Sequence, residues 1–241
     1  MRRIARALRK NKSFLVAGHM NPEGDSLGAL IGVYDLLKGM GKRVVAYCND
    51  PPPQNLAFLS RHVKIVTEPP RGSFDAGIIV DSPVLSRLGR PAALFGKLPL
   101  LIVIDHHISN ARFGHINWVD PDASSSGEMV FRLYEAMKRP RSPAARLAIY
   151  TAIVTDTGSF RYENTSARTH EAVARLIKEG VRPRPVSEMI YEMSPISRIK
   201  LLGMALNTLG RSKDGRVAWL YVTRAMQKKA RAVPGDTEGF V

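Results

Sequence analysis

The chain has 241 residues, 44% of them hydrophobic, and one cysteine, Cys48. This length allows one large domain, or one domain with part of another, and its core can fold without a disulfide or a structural metal. A single cysteine excludes an internal disulfide, and no apolar run approaches the roughly 20 residues of a membrane span. We therefore predict a cytoplasmic protein without a membrane segment.

The formal net charge of +15 at pH 7 predicts an anionic partner. Nucleic acid, a nucleotide or a membrane surface would carry the required charge, and a basic surface that only keeps the protein soluble is the alternative. The basic segment MRRIARALRK precedes an apolar stretch that is too short for a signal-peptide core. We predict a helix and then a strand there.

The first half of the chain alternates short apolar runs with helical patterns. Each apolar run has the length of a buried strand, and Ser26 is a plausible N-cap of the first long helix. In chain order we predict a strand at 14–18, a helix at 26–41, a strand at 43–48, a short helix after PPPQ, and strands at 76–83 and 99–105.

The second half has mostly helical patterns. We predict helices at 125–138, 142–158, 166–180 and 196–210, then a strand at 216–223 and a basic helix. Strands that alternate with helices predict an α/β fold with an open, mainly parallel sheet flanked by helices on both faces. Such sheets bind their ligands outside the carboxyl ends of the strands.

Side chains that can bind metal fall at these strand and helix ends, in four segments. The segments are GHMNPEGDSLGA with His19, Glu23 and Asp25, IIVDSP with Asp81, VIDHH with Asp105, His106 and His107, and TAIVTDTGSF with Asp156. Carboxylates and imidazoles together suit two adjacent divalent cations and favour Mn²⁺, Fe²⁺ or Co²⁺ over Ca²⁺. Two such ions can clamp a phosphoryl group, and a histidine that binds no metal can protonate the leaving oxygen.

Each of these residues also has a purely structural interpretation. His19 could lie in the core or cap an element, Asp81 could cap the next helix, and Asp25 could interact with a helix dipole. Three polar residues at the end of a hydrophobic strand, 105–107, destabilise the fold unless they are paired or bind a ligand. Because all four segments converge on one sheet edge, we favour the metal site.

The four segments resemble, in order and spacing, the four motifs of the DHH phosphoesterase superfamily. HMNPEGDSLGA is similar to the first motif, VDSP to the second, DHH to the third and TDTGSF to the fourth, and the resemblance extends over residues 14 to about 180. TDTGSFRYENTSARTHEAVARLIKEG, LLGMALNTL and the terminal DTEGFV resemble the nano-RNase/pAp-phosphatase branch. The resemblance implies Mn²⁺-dependent hydrolysis of short oligonucleotides, linear dinucleotides or pAp, and makes a homodimer plausible.

The resemblance also implies a role for each residue of the four motifs. It implies one ion held by His19, Glu23 and Asp81 and a second ion held by Asp25, Asp81, His106 and Asp156. His107 would face the scissile phosphate, and Asp105 would support the site from behind the ligands.

The chain departs from the family pattern in two ways. Glu23 stands where the family usually has Asp, which adds one methylene group to a ligand. The family's Gly-rich, His-containing motif in a C-terminal substrate-binding domain has no counterpart in the sequence. We expect a DHH catalytic domain at 1–185, a helical linker at 186–212 and the truncated start of a substrate-binding domain at 213–241.

Two further segments could contact the substrate. Arg161, Tyr162 and Asn164 follow the fourth motif and could reach a base or a phosphate. Ser125 and Ser126 precede a helix, where hydroxyls and backbone N–H groups could bind phosphate, although a helix cap is the alternative.

Other functions remain open at this point. A weak or inactive nucleotide- or RNA-binding protein of the same fold would lack the substrate grip of the second domain. A single-strand exonuclease or a pyrophosphatase of the same superfamily would share the metal ligands. Metal-independent RNA binding would leave the carboxylate cluster unexplained, because carboxylates repel phosphates unless cations intervene.

Overall fold

The computed structural model describes residues 1–193, 195–233, 236–237 and 240. The chain forms two compact units, Met1–Val186 and Ser187–Val241. The terminal DTEGFV, which carries part of the family resemblance, lies partly outside the described residues.

The first unit is built on a six-stranded sheet in which neighbouring strands are parallel, in the order β3-β2-β1-β4-β5-β6. Helices pack against these strands, so the predicted α/β class is confirmed. The strands are β1 (Ser13–Ala17), β2 (Arg43–Tyr47), β3 (Ile65–Val66), β4 (Ala76–Val80), β5 (Leu101–Asp105) and β6 (Ile116–Val119).

The helices begin at residues that stabilise helix ends. The hydroxyls of Ser125, Ser142 and Ser166 each accept a hydrogen bond from a backbone N–H in the first turn of the helix that follows. The helices are α1 (Arg2–Lys10), α2 (Gly24–Gly39), α3 (Ala92–Phe95), α4 (Ser126–Met137), α5 (Pro143–Asp156), α6 (Ala167–Lys178), α7 (Pro183–Ser187), α8 (Ile196–Leu206) and α9 (Arg224–Ala230).

The central strands β1, β4 and β5 are buried along their whole length, which explains their continuous apolar sequences. On one face, Leu15 and Val103 pack in a cluster with Phe95 of α3. Successive residues of a strand point to opposite faces, so Phe14 and Val16 face the other side of the sheet. Both faces are therefore hydrophobic, and polar residues of these strands are confined to their ends.

Helices α2 and α5 pack closely because glycine lies at their contact. A Cβ added to Gly28 would lie 2.3 Å from the carbonyl oxygen of Ala148 and 2.7 Å from the Cβ of Ala152. Only a residue without a side chain allows this approach. The contact brings the start of α2 next to the end of α5, and these two ends carry Asp25 and Asp156.

The structure differs from the sequence-based prediction mainly in the weak elements. Strands β3 and β6 were not predicted, because one has two residues and the other is a half-buried edge strand. The strand predicted at 216–223 is wrong in length: Ala218–Trp219 forms β8, which pairs antiparallel with β7 (Gly210–Arg211). In the described residues, no helix is long and apolar enough to cross a membrane.

Candidate metal centre

The strand order reverses direction between β1 and β4, and the candidate site lies there. The chain winds from β1 to β3 on one side and from β4 to β6 on the other, which leaves a crevice at the carboxyl ends of β1 and β4. His19 follows β1 and Asp81 follows β4, and His19 Nε2 lies 3.3 Å from Asp81 Oδ2. Asp81 adopts a φ of +54°, which turns the chain sharply at the end of the strand.

The carboxylate of Asp81 lies between two groups of side chains. On one side, His19 Nε2 is 3.3 Å from Asp81 Oδ2 and 3.5 Å from Glu23 Oε1. On the other side, His106 Nε2 lies 3.7 Å from Asp81 Oδ1. The same nitrogen also lies near two further carboxylates, at 3.7 Å from Asp25 Oδ2 and 3.4 Å from Asp156 Oδ2. The six residues predicted to bind metal therefore lie together, with Asp81 shared.

Both of these histidines turn the same ring nitrogen toward the carboxylates. His19 Nδ1 lies 2.7 Å from the carbonyl oxygen of Met20, and His106 Nδ1 lies 3.3 Å from that of Ala123. A carbonyl only accepts, so each Nδ1 is assigned as the donor. This is the arrangement of metal-binding histidines, in which the second ring nitrogen is held by a backbone or carboxylate oxygen.

The carboxylates of the centre repel each other. Burial, followed by the charges of Asp81 and Asp156, raises the pKa of Asp25 well above its usual range. Burial, with the charges of Asp81 and Glu23, raises the pKa of Asp156 to about 6, although His106 opposes this rise. The crowded carboxylates therefore favour bound positive charge, either as protons or as cations.

The close contact between His19 and Asp81 raises the pKa of the histidine and lowers the pKa of the carboxylate. Burial would lower the pKa of His19, but hydrogen bonding to Asp81 and Glu23 raises it to about 10. Burial would raise the pKa of Asp81, but His19 and the neighbouring histidines His106 and His107 lower it. Without a metal ion, a proton shared with His19 supplies the positive charge beside Asp81.

These residues fit divalent cations. Within the part of the chain that the structure describes, the buried Oδ2 of Asp81 has the ring of His19 at 3.3 Å and no other hydrogen-bond donor. Two imidazoles and four carboxylates with no thiolate form a donor set for hard or borderline divalent ions. A cation near Asp81 would satisfy its oxygen and reduce the repulsion among the carboxylates.

Asp25 also stabilises the start of α4. Its Oδ2 accepts the N–H of Ser126 at 2.7 Å, and its Oδ1 accepts the N–H of Gly127 at 2.8 Å. The carboxylate of Asp25 therefore already interacts with the positive end of the α4 helix dipole. These N–H groups are thus used inside the fold, and phosphate binding at this helix start stays a prediction.

Three of the predicted substrate contacts, Ser125, Ser126 and Asn164, have structural roles. Ser125 and Ser126 are buried, and the hydroxyl of Ser125 accepts the N–H of Glu128 as the helix cap. The side-chain amide of Asn164 donates to the carbonyl oxygens of Ser124, at 2.9 Å, and Asp156, at 3.0 Å. These contacts hold the loops of the centre, and substrate binding by Ser125, Ser126 and Asn164 stays a prediction.

Arg161 is exposed on the loop that follows α5. Its Nε donates to the carbonyl oxygen of Gly158 at 2.6 Å. The arginine is thus close to the centre in sequence and anchored to the same loop, and its contact with a substrate stays a prediction.

His107 and Asp105 form a hydrogen-bonded pair at the metal centre, where His107 Nδ1 also lies 3.7 Å from Asp81 Oδ1. His107 Nδ1 lies 2.8 Å from Asp105 Oδ1, and this hydrogen bond is the main cause of the raised pKa of His107. Asp105 is fully buried and also accepts the N–H of His106 at 2.9 Å. The side chain of His107 is 35% exposed, and Asp105 fixes its orientation.

Sequence reasoning missed several residues that support this arrangement. Asn110 donates from Nδ2 to Asp105 Oδ2, at 2.5 Å, and to the carbonyl oxygen of Ser82, at 3.1 Å. The buried carboxylate of Glu128 accepts from Ser124 Oγ at 2.8 Å and from Arg168 Nε at 2.8 Å. Asn110 lies five residues after Asp105, but nothing in this spacing indicated the contact. Arg168 is part of this network.

A hollow of about 520 Å³ lies elsewhere in the first unit, at the C-terminal ends of α4 and α6. Its most buried arginine, Arg141, forms ion pairs with Glu135 and Glu179, and Arg175 pairs with Glu135 as well. Two of the five basic side chains that line the hollow are thus paired inside the fold.

The doubly wound sheet and the shared carboxylate define an α/β protein whose switch-point side chains could hold metal ions. A model of the DHH family, N-terminal domain, matches residues 13–157, and the chain belongs to this family. The superfamily resemblance identified from the four motifs is thereby confirmed.

Similar proteins cover the whole chain. The bifunctional oligoribonuclease and PAP phosphatase NrnA of Thermus thermophilus is 31% identical over 247 residues, which include 100% of this chain and 71% of that protein. A crystal structure of an exopolyphosphatase-related protein from Bacteroides fragilis superposes with a TM-score of 0.92 at 25% identity, covering 100% of this chain and 74% of that one. A probable manganese-dependent inorganic pyrophosphatase of Deinococcus radiodurans is 25% identical over 67% of this chain and 52% of its own length.

Proposed function

We propose that this chain is a metal-dependent phosphoesterase that hydrolyses short oligonucleotides, linear dinucleotides or pAp. The observation that carries the proposal is the carboxylate of Asp81, whose two oxygens face the Nε2 atoms of His19 and His106. The relative from Thermus thermophilus, which is named an oligoribonuclease and PAP phosphatase, supports this class of substrate.

Two divalent cations are the cofactors that we propose, with Mn²⁺ the favoured ion. One would be held by His19, Glu23 and Asp81, and the other by Asp25, Asp81, His106 and Asp156. Mixed imidazole and carboxylate ligands suit Mn²⁺, and the Deinococcus radiodurans relative is named manganese-dependent. Bound ions would activate water and neutralise charge on the phosphoryl group.

His107 is the side chain that we assign to the reacting phosphate. Its Nδ1 is held by Asp105, which leaves Nε2 as the nitrogen that can meet a substrate. Asp105 raises the pKa of His107, which favours the protonated ring, and this ring could donate its proton to the leaving oxygen. Asp105 acts through His107, because it is fully buried.

The proposal places the chemistry in the first unit, which contains every residue of the centre. We retain as proposals the catalytic domain at 1–185, the linker at 186–212 and the start of a substrate-binding domain at 213–241. Arg161 is the exposed cation that we assign to a substrate phosphate. A homodimer also stays a prediction.

The test is hydrolysis of defined substrates by the purified chain with Mn²⁺. A labelled dinucleotide, a labelled trinucleotide and pAp are incubated with the wild type and with His106→Ala, which removes one imidazole ligand. The exposed Asp122 provides a matched control, Asp122→Asn, outside the centre. Mononucleotide release by the wild type and the control, but not by His106→Ala, supports the proposal, whereas full activity of His106→Ala contradicts it.

Pyrophosphate is the second candidate substrate, because one relative is named a probable inorganic pyrophosphatase. The same assay with pyrophosphate separates the two functions. Release of inorganic phosphate from pyrophosphate, with no cleavage of the dinucleotide, would favour this second candidate.

A further inference from the structure

An exposed aromatic side chain lies on the loop that follows Asp156, a predicted metal ligand. Tyr162 is on the loop after α5, and its backbone N–H donates to the carbonyl oxygen of Thr157 at 3.1 Å. Thr157 directly follows Asp156, one of the predicted metal ligands. The side chain is 57% exposed, so its ring is accessible to a ligand.

One face of the Tyr162 ring rests on the backbone of Gly158. A Cβ added to Gly158 would lie 2.4 Å from Cζ and 2.6 Å from both Cε1 and Cε2 of the ring. Three nearly equal distances place this point above the ring face and not at its edge. Gly158 also has a φ of +54°, so a side chain there would be strained as well as in collision with the ring. The opposite face of the ring is therefore the one that solvent reaches.

The loop that carries Tyr162 is held in one conformation. Asn164 anchors its far end to Asp156 and Ser124, as described above. Ser159 and Phe160 adopt φ values of +59° and +67°, which side-chain-bearing residues adopt only when their surroundings enforce them. A ring mounted on such a loop loses little conformational freedom on binding.

The neighbouring aromatic residue is not equally available. The ring of Phe160 lies 5.2 Å from that of His170, centroid to centroid. Phe160 is half-buried, whereas Tyr162 is exposed. Tyr162 is thus the aromatic side chain of this loop that can offer a free face to a ligand.

We propose that Tyr162 is a stacking platform for the base of the nucleotide whose phosphate lies at the metal centre. This inference rests on the proposed phosphoesterase function and specifies its substrate: the compound must carry a nucleobase, not only a phosphate. Stacking on an aromatic face tolerates every base, because every base has a π-face. The platform therefore selects nucleotides over inorganic or sugar phosphates and discriminates little among the four bases.

The test compares Tyr162→Leu with Tyr162→Phe. Leucine fills similar space without an aromatic face, and phenylalanine keeps the face without the hydroxyl group. Two substrates are used, a dinucleotide and the same compound without the base on the nucleotide at the metal centre. Tyr162→Leu is expected to raise KM for the dinucleotide by a factor of roughly 5–150, with Mn²⁺ content unchanged and kcat changed much less.

The remaining results follow from the same reasoning. Tyr162→Phe should behave as the wild type with both substrates, and Tyr162→Leu should match the wild type with the abasic compound. An unchanged KM of Tyr162→Leu for the dinucleotide overturns the platform. An equal increase in KM with the abasic compound also contradicts the proposal, because Tyr162 would then act on the phosphate or on the fold.

A binding experiment separates this inference from the proposed function. AMP and ribose 5-phosphate are titrated calorimetrically into the Mn²⁺-loaded wild type and Tyr162→Leu. If the wild type hydrolyses no dinucleotide, the proposed phosphoesterase function is wrong. The platform still stands if the wild type prefers AMP over ribose 5-phosphate and Tyr162→Leu loses that preference. A wild type with no preference for AMP refutes the platform, whatever the protein hydrolyses.

Discussion

Replacement of Asp156 by Asn should stabilise the metal-free protein, although it removes a predicted metal ligand. Asp156 has its pKa raised from the ordinary 3.8 to about 6, mainly by burial and then by the charges of Asp81 and Glu23. A raised carboxyl pKa means that folding disfavours the ionised form, so the penalty is absent below pH 3.8 and complete above pH 6. Asn has the same shape without the charge.

The size of the effect follows from this pKa. The difference between 3.8 and about 6 corresponds to about 3 kcal/mol at about 1.36 kcal/mol for each pH unit. The side chain is 25% exposed, and the water around it screens part of this penalty. We expect a gain of about 1–3 kcal/mol at pH 8, which raises Tm by roughly 2–12 °C in a chain of this size.

The assay is thermal unfolding at pH 8 with a chelator and then with Mn²⁺. An ion at 100 times its Kd stabilises the wild type by about 2.7 kcal/mol. The Asp156→Asn protein should lose most of the gain from the ion that Asp156 would bind. In the presence of the chelator, the Tm difference between Asp156→Asn and the wild type should shrink as the pH falls from 8 toward 5. The exposed Asp122→Asn should have the Tm of the wild type both with the chelator and with Mn²⁺. A metal-free Asp156→Asn that is less stable than the wild type, or an equal gain from Mn²⁺, would refute the reasoning.

Three other substitutions probe different parts of the molecule. Asp105→Asn weakens the bond that orients His107, and kcat should fall about 10–100-fold with Mn²⁺ content unchanged; loss of the metal would show that Asp105 acts on the ligands. Glu23→Asp shortens a side chain that is 55% exposed, so urea unfolding should be unchanged and hydrolysis retained, and complete inactivity would contradict this. Gly28→Ala should destabilise the fold by about 1–3 kcal/mol in urea titrations, because its Cβ would meet the backbone of α5. The matched change Gly39→Ala, with nothing within 4 Å, should stabilise by up to about 1 kcal/mol, and equal effects of the two would be inconsistent with the close packing.

The sequence predicted strands best where both faces of the strand are buried. Strands β1, β4 and β5 read as continuous apolar runs because both of their faces lie against hydrophobic side chains. Edge strands lack this signal: β6, with the sequence INWV, is half-buried along its length. The strand predicted at 216–223 failed for the opposite reason: residues 217–222 are all apolar, as in a buried strand, but only Ala218 and Trp219 pair and both are exposed.

The sequence predicted which residues meet at the candidate site, but not which of their atoms face each other. Parallel strands end at the same edge, so the residues after β1, β4 and β5 had to lie close together. Which oxygen of Asp81 faces which histidine depends on strand register and on its left-handed φ, and neither is visible in the sequence. The start of α4 looked like a phosphate site because no local pattern shows that a carboxylate 101 residues away, Asp25, already binds there.

This double use of Asp25 decides which substitutions report on the metal centre. Both of its oxygens accept backbone N–H groups at the start of α4, so Asp25→Ala would leave buried donors unpaired and weaken the fold as well as the site. Asp156 faces His106 at the end of α5, and its raised pKa shows that its charge is poorly compensated by the protein alone. A loss of activity at Asp25 is therefore ambiguous, whereas a loss at Asp156 that accompanies a gain in metal-free stability points to the cation.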